Sequence, residues 1–301
     1  MQRTRSTDGV EVALHDLGGT GEPVLLAHAT GFAGRIWEPI AARLVAAGYH
    51  CFSFDARCHG ATTTPPDASR SWHGVADDLL AAVDALGLDG CLAAGHSMGS
   101  SALLLASLRR PGAFRALYCY EPVTAPVDTD EPMKDGVLAE ITLRRRDRFE
   151  SIDAARVNFS SKPPFDAFEA ASLEAYLTHC FVPDPDPAAP AGAITLACAR
   201  TDESELYRLG RHHGLYEQLP AITVPTTVAA GPREPGSPSS FAAGVVQLLP
   251  RARLWRHHEL GHFGPQQDPA AIAGEIIRAW ADPPTAGTHA PTDRGDVGER
   301  A

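Results

Sequence analysis

One serine stands between two glycines in the stretch GHSMG, residues 95–99, after the small apolar run CLAA and ahead of SSALLLASL. If Ser97 joins a strand to a helix, the chain must reverse within a few residues, and side chains two positions away would collide. Gly95 and Gly99 remove that collision. Such an elbow sets the Ser97 hydroxyl at the carboxyl end of a sheet, beside a helix N-terminus whose free N–H groups favour developing negative charge. The N–H of Met98, the residue after the serine, is one such donor. A serine hydroxyl is a poor nucleophile at neutral pH, so it needs a base within hydrogen-bond reach and an anion to fix that base's tautomer. His262 is the base candidate, in the glycine-flanked stretch LGHFG late in the chain. His257 and His258 read as part of the preceding strand, where one would point into packing.

The elements needed to hold these groups can be read from periodicity. VEVALH alternates as a half-buried strand does, and PVLLAH, CFSFD, CLAAG and RALYCYEP are short buried runs, whereas IWEPIAARLVAAGY and SWHGVADDLLAAVDALGL carry apolar residues at helical spacing. Strands alternating with amphipathic helices predict an α/β fold with a mostly parallel sheet covered on both faces. Over 123–219 the rhythm changes to helical stretches joined by proline-rich segments such as SKPPF and VPDPDPAAPAG, with no strand pair evident. The strand and helix pattern then resumes through TTVAAG and RLWRH. The reading is a core of residues 1–122 and 220–282, a helical cap over 123–219, and a disordered tail over 283–301, poor in apolar residues.

With 301 residues, 44% hydrophobic and 21% charged, the chain can bury a sizeable core. A formal net charge of −11, with lysine only at Lys134 and Lys162, argues against a nucleic-acid surface or a polybasic membrane patch. No apolar leader segment or membrane-length run is evident, so a cytoplasmic protein is expected. Six cysteines without CxxC or zinc-like spacing read as small buried side chains in a reducing compartment. The pairs His212/His213 and His257/His258 lack companions at ligand spacing and read as surface histidines; no metal and no cofactor are expected.

Four motifs in order resemble the α/β-hydrolase fold family: HATGF at 28–32 with Trp37, FDARCHGAT at 54–62, GHSMG at 95–99, and LGHFGPQQDP at 260–269. The resemblance covers nearly all of the chain except the tail. It implies an insert after strand six as the cap and a backbone oxyanion hole formed by the N–H groups of Met98 and Thr30. It implies two slots for the triad acid: the end of strand six, where YCYEP puts Glu121, and the loop after strand seven, where GPREP puts Glu234. Glu121 follows directly from a buried strand, where an unpartnered carboxylate is costly, which favours it; Glu234, in a proline- and glycine-rich turn, is the alternative. Asp55 and Arg57 read as an ion pair or hydrogen-bond network beside the elbow, and His28 and His59 as loop-organising histidines bonded to backbone.

The activity so implied is a serine hydrolase passing through an acyl-Ser97 intermediate. The cap aromatics Phe149, Phe159, Phe165, Phe168, Tyr176, Phe181, Tyr207 and Tyr216 read largely as the cap's own core. Those that face the cleft suit a small hydrophobic ester, thioester or lactone. C–C bond hydrolysis, perhydrolysis, acyl transfer or cyclisation on the same triad, and non-catalytic ligand binding, are the rival expectations. Epoxide hydrolases and dehalogenases resemble this fold but need a carboxylate where Ser97 stands. A monomer or homodimer is expected.

Overall fold

The structure is a computed structural model describing residues 2–127, 129, 134–210, 212–287 and 292–293. Its centre is a nine-stranded sheet. In chain order the first six strands are β1 (Gln2–Arg5), β2 (Glu11–Gly18), β3 (Glu22–Ala27), β4 (Tyr49–Asp55), β5 (Cys91–His96) and β6 (Phe114–Tyr120). After them come β7 (Arg148–Phe149), β8 (Phe181–Pro183), β9 (Ile194–Leu196), β10 (Thr226–Ala230), β11 (Ala252–Arg256) and β12 (Thr292–Asp293). The central sheet runs β1-β2-β4-β3-β5-β6-β10-β11-β12. Only β1 with β2 and β2 with β4 pair antiparallel; β4, β3, β5, β6, β10, β11 and β12 run parallel.

Alternation explains why the sheet is covered on both sides. Along β5, Cys91 and Ala93 belong to one apolar cluster and Leu92 and Ala94 to the other; along β3, Leu25 and Ala27 face the first and Val24 and Leu26 the second. The helices in chain order are α1 (Glu38–Ala46), α2 (Trp72–Leu86), α3 (Met98–Arg109), α4 (Asp135–Arg144), α5 (Ile152–Ser160), α6 (Ala170–His179), α7 (Arg200–Leu209), α8 (Pro238–Leu248), α9 (Gly264–Gln267) and α10 (Pro269–Ala281). The first face takes α2, α3 and α8 through Val75, Leu79, Leu103 and Val245. The second takes α1 and α10 through Ile40, Leu44, Ile272 and Ile276. Local chemistry sets the helix ends: the Ser71 hydroxyl accepts from Gly74 N–H to open α2, and Gly87, at φ 65°, closes it.

Between β6 and β10 the chain forms α4 to α7 and a second, three-stranded antiparallel sheet of order β7-β9-β8. The sequence reading saw no strands here, because runs of two or three residues carry no periodicity. Phe149, Phe159, Phe165, Phe168, Tyr176 and Phe181 pack on one another, with Phe159 to Phe165 at 4.7 Å and Phe165 to Tyr176 at 4.6 Å between ring centroids. All six cysteines are buried and free, as expected. Most of the tail expected to be disordered lies outside the described residues; within it, Thr292–Asp293 pair parallel with Trp255 and Arg256. Among the described residues, no helix is long and apolar enough to cross a membrane.

Candidate active site

β5 ends at His96, and α3 begins at Met98, so Ser97 alone makes the turn. Its backbone sits at φ 54°, ψ −115°, a conformation that ordinary side chains rarely adopt. A Cβ on Gly95 would lie 2.6 Å from Ser100 N, and one on Gly99 2.2 Å from Ala27 O. The glycines are therefore steric requirements of the elbow. The Ser97 N–H donates to Tyr120 O at 2.9 Å, and Ser101 N–H to Ser97 O at 3.2 Å. Met98, at the first position of α3, precedes that first helical bond, so its N–H is one of the helix's unpaired donors.

The neighbouring strand β6 leads into the first acid candidate. Glu121 follows β6, and its N–H donates to Ala229 O at 2.8 Å, extending the β6 to β10 ladder past its end. Glu121 is 1% exposed. Its Oε1 accepts from the Gly231 N–H at 2.9 Å and its Oε2 meets His262 Nδ1 at 2.6 Å. Of the two acid candidates, the structure brings Glu121 to His262; Glu234 turns out to Lys134, 3.0 Å away at the cavity mouth.

The His262 loop is tied down independently. The Tyr120 hydroxyl donates to Gly261 O at 2.7 Å, Gly261 N–H to Gln267 Oε1 at 2.8 Å, and His96 Nε2 lies 2.7 Å from His262 O. His96 is fully buried, which holds its pKa well below the ordinary histidine value, so the ring stays neutral and donates through Nε2. Sequence reasoning passed over His96, although it stands inside the GHSMG motif. Phe32 and Phe263, which follow the 28–31 loop and His262, lie 5.9 Å apart and both contact Phe168, so the aromatic cluster of the inserted segment grips both loops.

The 28–32 loop is held as expected of its histidines. His28 Nδ1 lies 2.8 Å from Ala29 O while its Nε2 accepts from Ala56 N–H at 3.0 Å. His59 Nε2 accepts from Gly31 N–H at 2.9 Å and its Nδ1 faces Arg57 O at 2.8 Å. Burial lowers the pKa of both, that of His59 to about 3. Asp55 and Arg57 do not pair with each other: Asp55 accepts from Gly34 and Ala61 N–H and contacts His15, whereas Arg57 is buried against Asp78 and Asp8. Asp55 ends β4 and Arg57 lies in the turn beyond it, and their side chains reach different elements.

Two further expectations are corrected. His213 is buried, not a surface residue: it stacks on Trp72 at 5.3 Å and contacts Val123 O at 3.0 Å. Burial takes its pKa to about 4. His257 and His258 lie beyond the end of β11, not on it, and His257 reaches Glu275 of α10 at 3.1 Å.

Ser97, His262 and Thr30 line one cavity of about 300 Å³, walled by Trp72, Val123, Leu138, Tyr207 and Phe263. Tyr207 is the one named aromatic of the inserted segment in that lining; the others pack among themselves or, as Tyr216 does, against α8 near Gly244. Among the described residues, no cluster of His, Cys, Asp and Glu has the grouping of a metal site.

Comparison with known proteins gives a consistent picture. The family model described as alpha/beta hydrolase family matches residues 24–275. An epoxide hydrolase of Caballeronia sordidicola is 29% identical over 115 residues, covering 38% of this chain and 34% of that protein; the chain thus spans about a third of that relative's length. E-2-(acetamidomethylene)succinate hydrolase superimposes with a TM-score of 0.75 at 17% identity, over 93% of this chain and 98% of that one. The esterase EaEST of Exiguobacterium antarcticum gives 0.70 at 19% identity, over 93% and 99%.

Proposed function

The chain belongs to the alpha/beta hydrolase family, and on that premise we propose that it is a serine hydrolase cleaving a small hydrophobic carboxylic ester or lactone. The observation that carries this reading is the 2.6 Å contact between His262 Nδ1 and the buried Glu121 carboxylate, on the wall of the cavity that Ser97 also lines. With Nδ1–H donated to Glu121, His262 Nε2 is the basic nitrogen. It takes the Ser97 proton as Oγ attacks the acyl carbon, and the N–H groups of Met98 and Thr30 receive the charge on the carbonyl oxygen. His262 then returns the proton to the leaving alkoxide, leaving acyl-Ser97. Water, deprotonated by the same imidazole, attacks the acyl carbon, and Ser97 recovers its proton as the acid departs. The segment 123–219 acts as a cap whose Leu138, Val123 and Tyr207 favour an apolar substrate. Epoxide opening is not favoured, since Ser97 stands where that chemistry on this fold uses a carboxylate.

The test is reaction with a fluorophosphonate probe, peptide mapping, and turnover of p-nitrophenyl esters by wild type, Ser97→Ala and His262→Ala. Labelling confined to Ser97 and lost in both variants, together with ester turnover, is the expected result. A well-folded wild type that neither labels nor turns over any ester removes the activated serine and leaves ligand binding as the reading.

A further inference from the structure

Glu203 is buried in α7, 1% exposed, and does none of the chemistry above. A carboxylate is costly to bury without a reason. Its Oε2 pairs with the guanidinium of Arg145, the residue that closes α4, and it interacts with Tyr207, one helical turn along α7 on the cavity wall. Its Oε1 lies against Gly31: a Cβ at that glycine would stand 2.6 Å from the oxygen. Gly31 has φ 81°, and from its other side the N–H is held by His59 Nε2 at 2.9 Å. The residue next to the Thr30 oxyanion donor is thus clamped between a histidine of the core and a carboxylate of the inserted segment. α7 itself is fixed to the core by Trp72 Nε1 donating to Leu206 O at 2.9 Å and by Arg70 with Asp202 at 3.0 Å. A rigid platform of this kind can impose a position on a loop rather than follow it.

We propose that Glu203, held by Arg145, is a positioning residue that packs on Gly31 and fixes the Thr30 N–H toward the reacting carbonyl oxygen. Because the carboxylate is compensated by Arg145, it supplies this contact without placing an unbalanced negative charge beside the oxyanion. The arrangement makes the oxyanion loop dependent on α4 and α7, the two helices that also wall the substrate cavity, so the donor geometry is complete only when both are docked. The inference rests on the reading of Thr30 as an oxyanion donor.

The experiment compares wild type, Glu203→Ala and Glu203→Gln in kcat, KM and the inhibition constant of an aryl trifluoromethyl ketone, whose serine adduct carries the oxyanion that the ester substrate develops only in the transition state. Glu203→Ala should lower kcat at least tenfold with KM within about threefold, and weaken the ketone by the same factor as kcat/KM. Glu203→Gln, whose amide oxygen takes the Arg145 contact and whose nitrogen keeps the packing against Gly31, should recover most of both losses. Unchanged kcat in Glu203→Ala overturns the proposal, as does a loss carried by KM, or a loss of kcat that leaves the ketone's affinity intact. Should Glu203→Ala not fold, Arg145→Met carries the same test, because it frees the carboxylate from its pin; wild-type constants there overturn the proposal equally. Wild-type turnover and its loss in Ser97→Ala are measured first, so that a failure of the serine-hydrolase reading is seen before any Glu203 variant is compared.

Discussion

His262 Nδ1 and Glu121 Oε2 meet at 2.6 Å although 141 residues separate them, and the carboxylate's other oxygen is already occupied by the Gly231 N–H. Glu121 thus turns its second oxygen to the imidazole. Glu121→Gln should lower kcat by roughly a thousandfold or more, since the amide no longer holds the Nδ1–H tautomer or the imidazolium. Glu234→Gln, which loses only an exposed partner of Lys134, should cost less than tenfold. Steady-state turnover of one p-nitrophenyl ester by the two variants decides it; the reverse ranking would reassign the acid.

Gly99 is where the elbow leans on the neighbouring strand. A Cβ there would stand 2.2 Å from Ala27 O and 2.7 Å from His28 O, both backbone atoms that side-chain rotation cannot move. Gly99→Ala should destabilise the fold by about 2–4 kcal/mol, through overpacking against buried backbone, and shift the loop that carries Thr30. Urea unfolding followed by tryptophan fluorescence measures the first effect and ester turnover the second; a variant as stable as wild type would mean that the elbow has room to spread.

How much of this was readable in sequence divides along physical lines. β5, Ser97 and α3 were legible because the strand's apolar run, the glycine pair and the helical period are all local signals. The Glu121 contact was legible only as one of two slots, because it depends on β6 and β10 being neighbours and on Gly231 presenting its N–H. His213 could not be read as buried, since it lies in a turn after α7 while its partner Trp72 lies on α2, and only the tertiary fold stacks them. β7, β8 and β9 were missed because two or three residues cannot show alternation, and the partners of Arg57 could not be named because Asp78 and Asp8 come from distant segments.

His59 and His213 make stability sensitive to mild acid. Burial is the first cause of both lowered values, about 3 for His59 and about 4 for His213. A histidine whose folded pKa is depressed contributes stability above its unfolded pKa, near 6.5, and loses it as pH falls toward the folded value. Between pH 7 and pH 5 each should therefore lose roughly 2 kcal/mol of stabilisation, because the unfolded chain takes up protons that the folded one refuses. Urea midpoints at pH 7, 6 and 5 check this, with His213→Phe, which keeps a ring against Trp72, flattening part of the slope. A midpoint that does not move over this range would mean that both rings accept protons in the folded state.

The cavity sets the last expectation. At about 300 Å³ it lies at the small end of ligand pockets, and Leu138 of α4 stands in its wall while remaining partly open to solvent. Wild type should prefer p-nitrophenyl acetate and butyrate to the octanoate. Leu138→Ala removes three carbons from the wall, an upper limit of about 2.4 kcal/mol of new apolar contact for a longer chain. The half-exposed position should realise about half of that, so the octanoate to butyrate ratio of kcat/KM should rise about eightfold. The measurement is that ratio in wild type and variant under identical conditions. A rise places the acyl chain along α4. An unchanged ratio with unaltered turnover would place it along other lining residues such as Phe263, where the same substitution strategy would then apply.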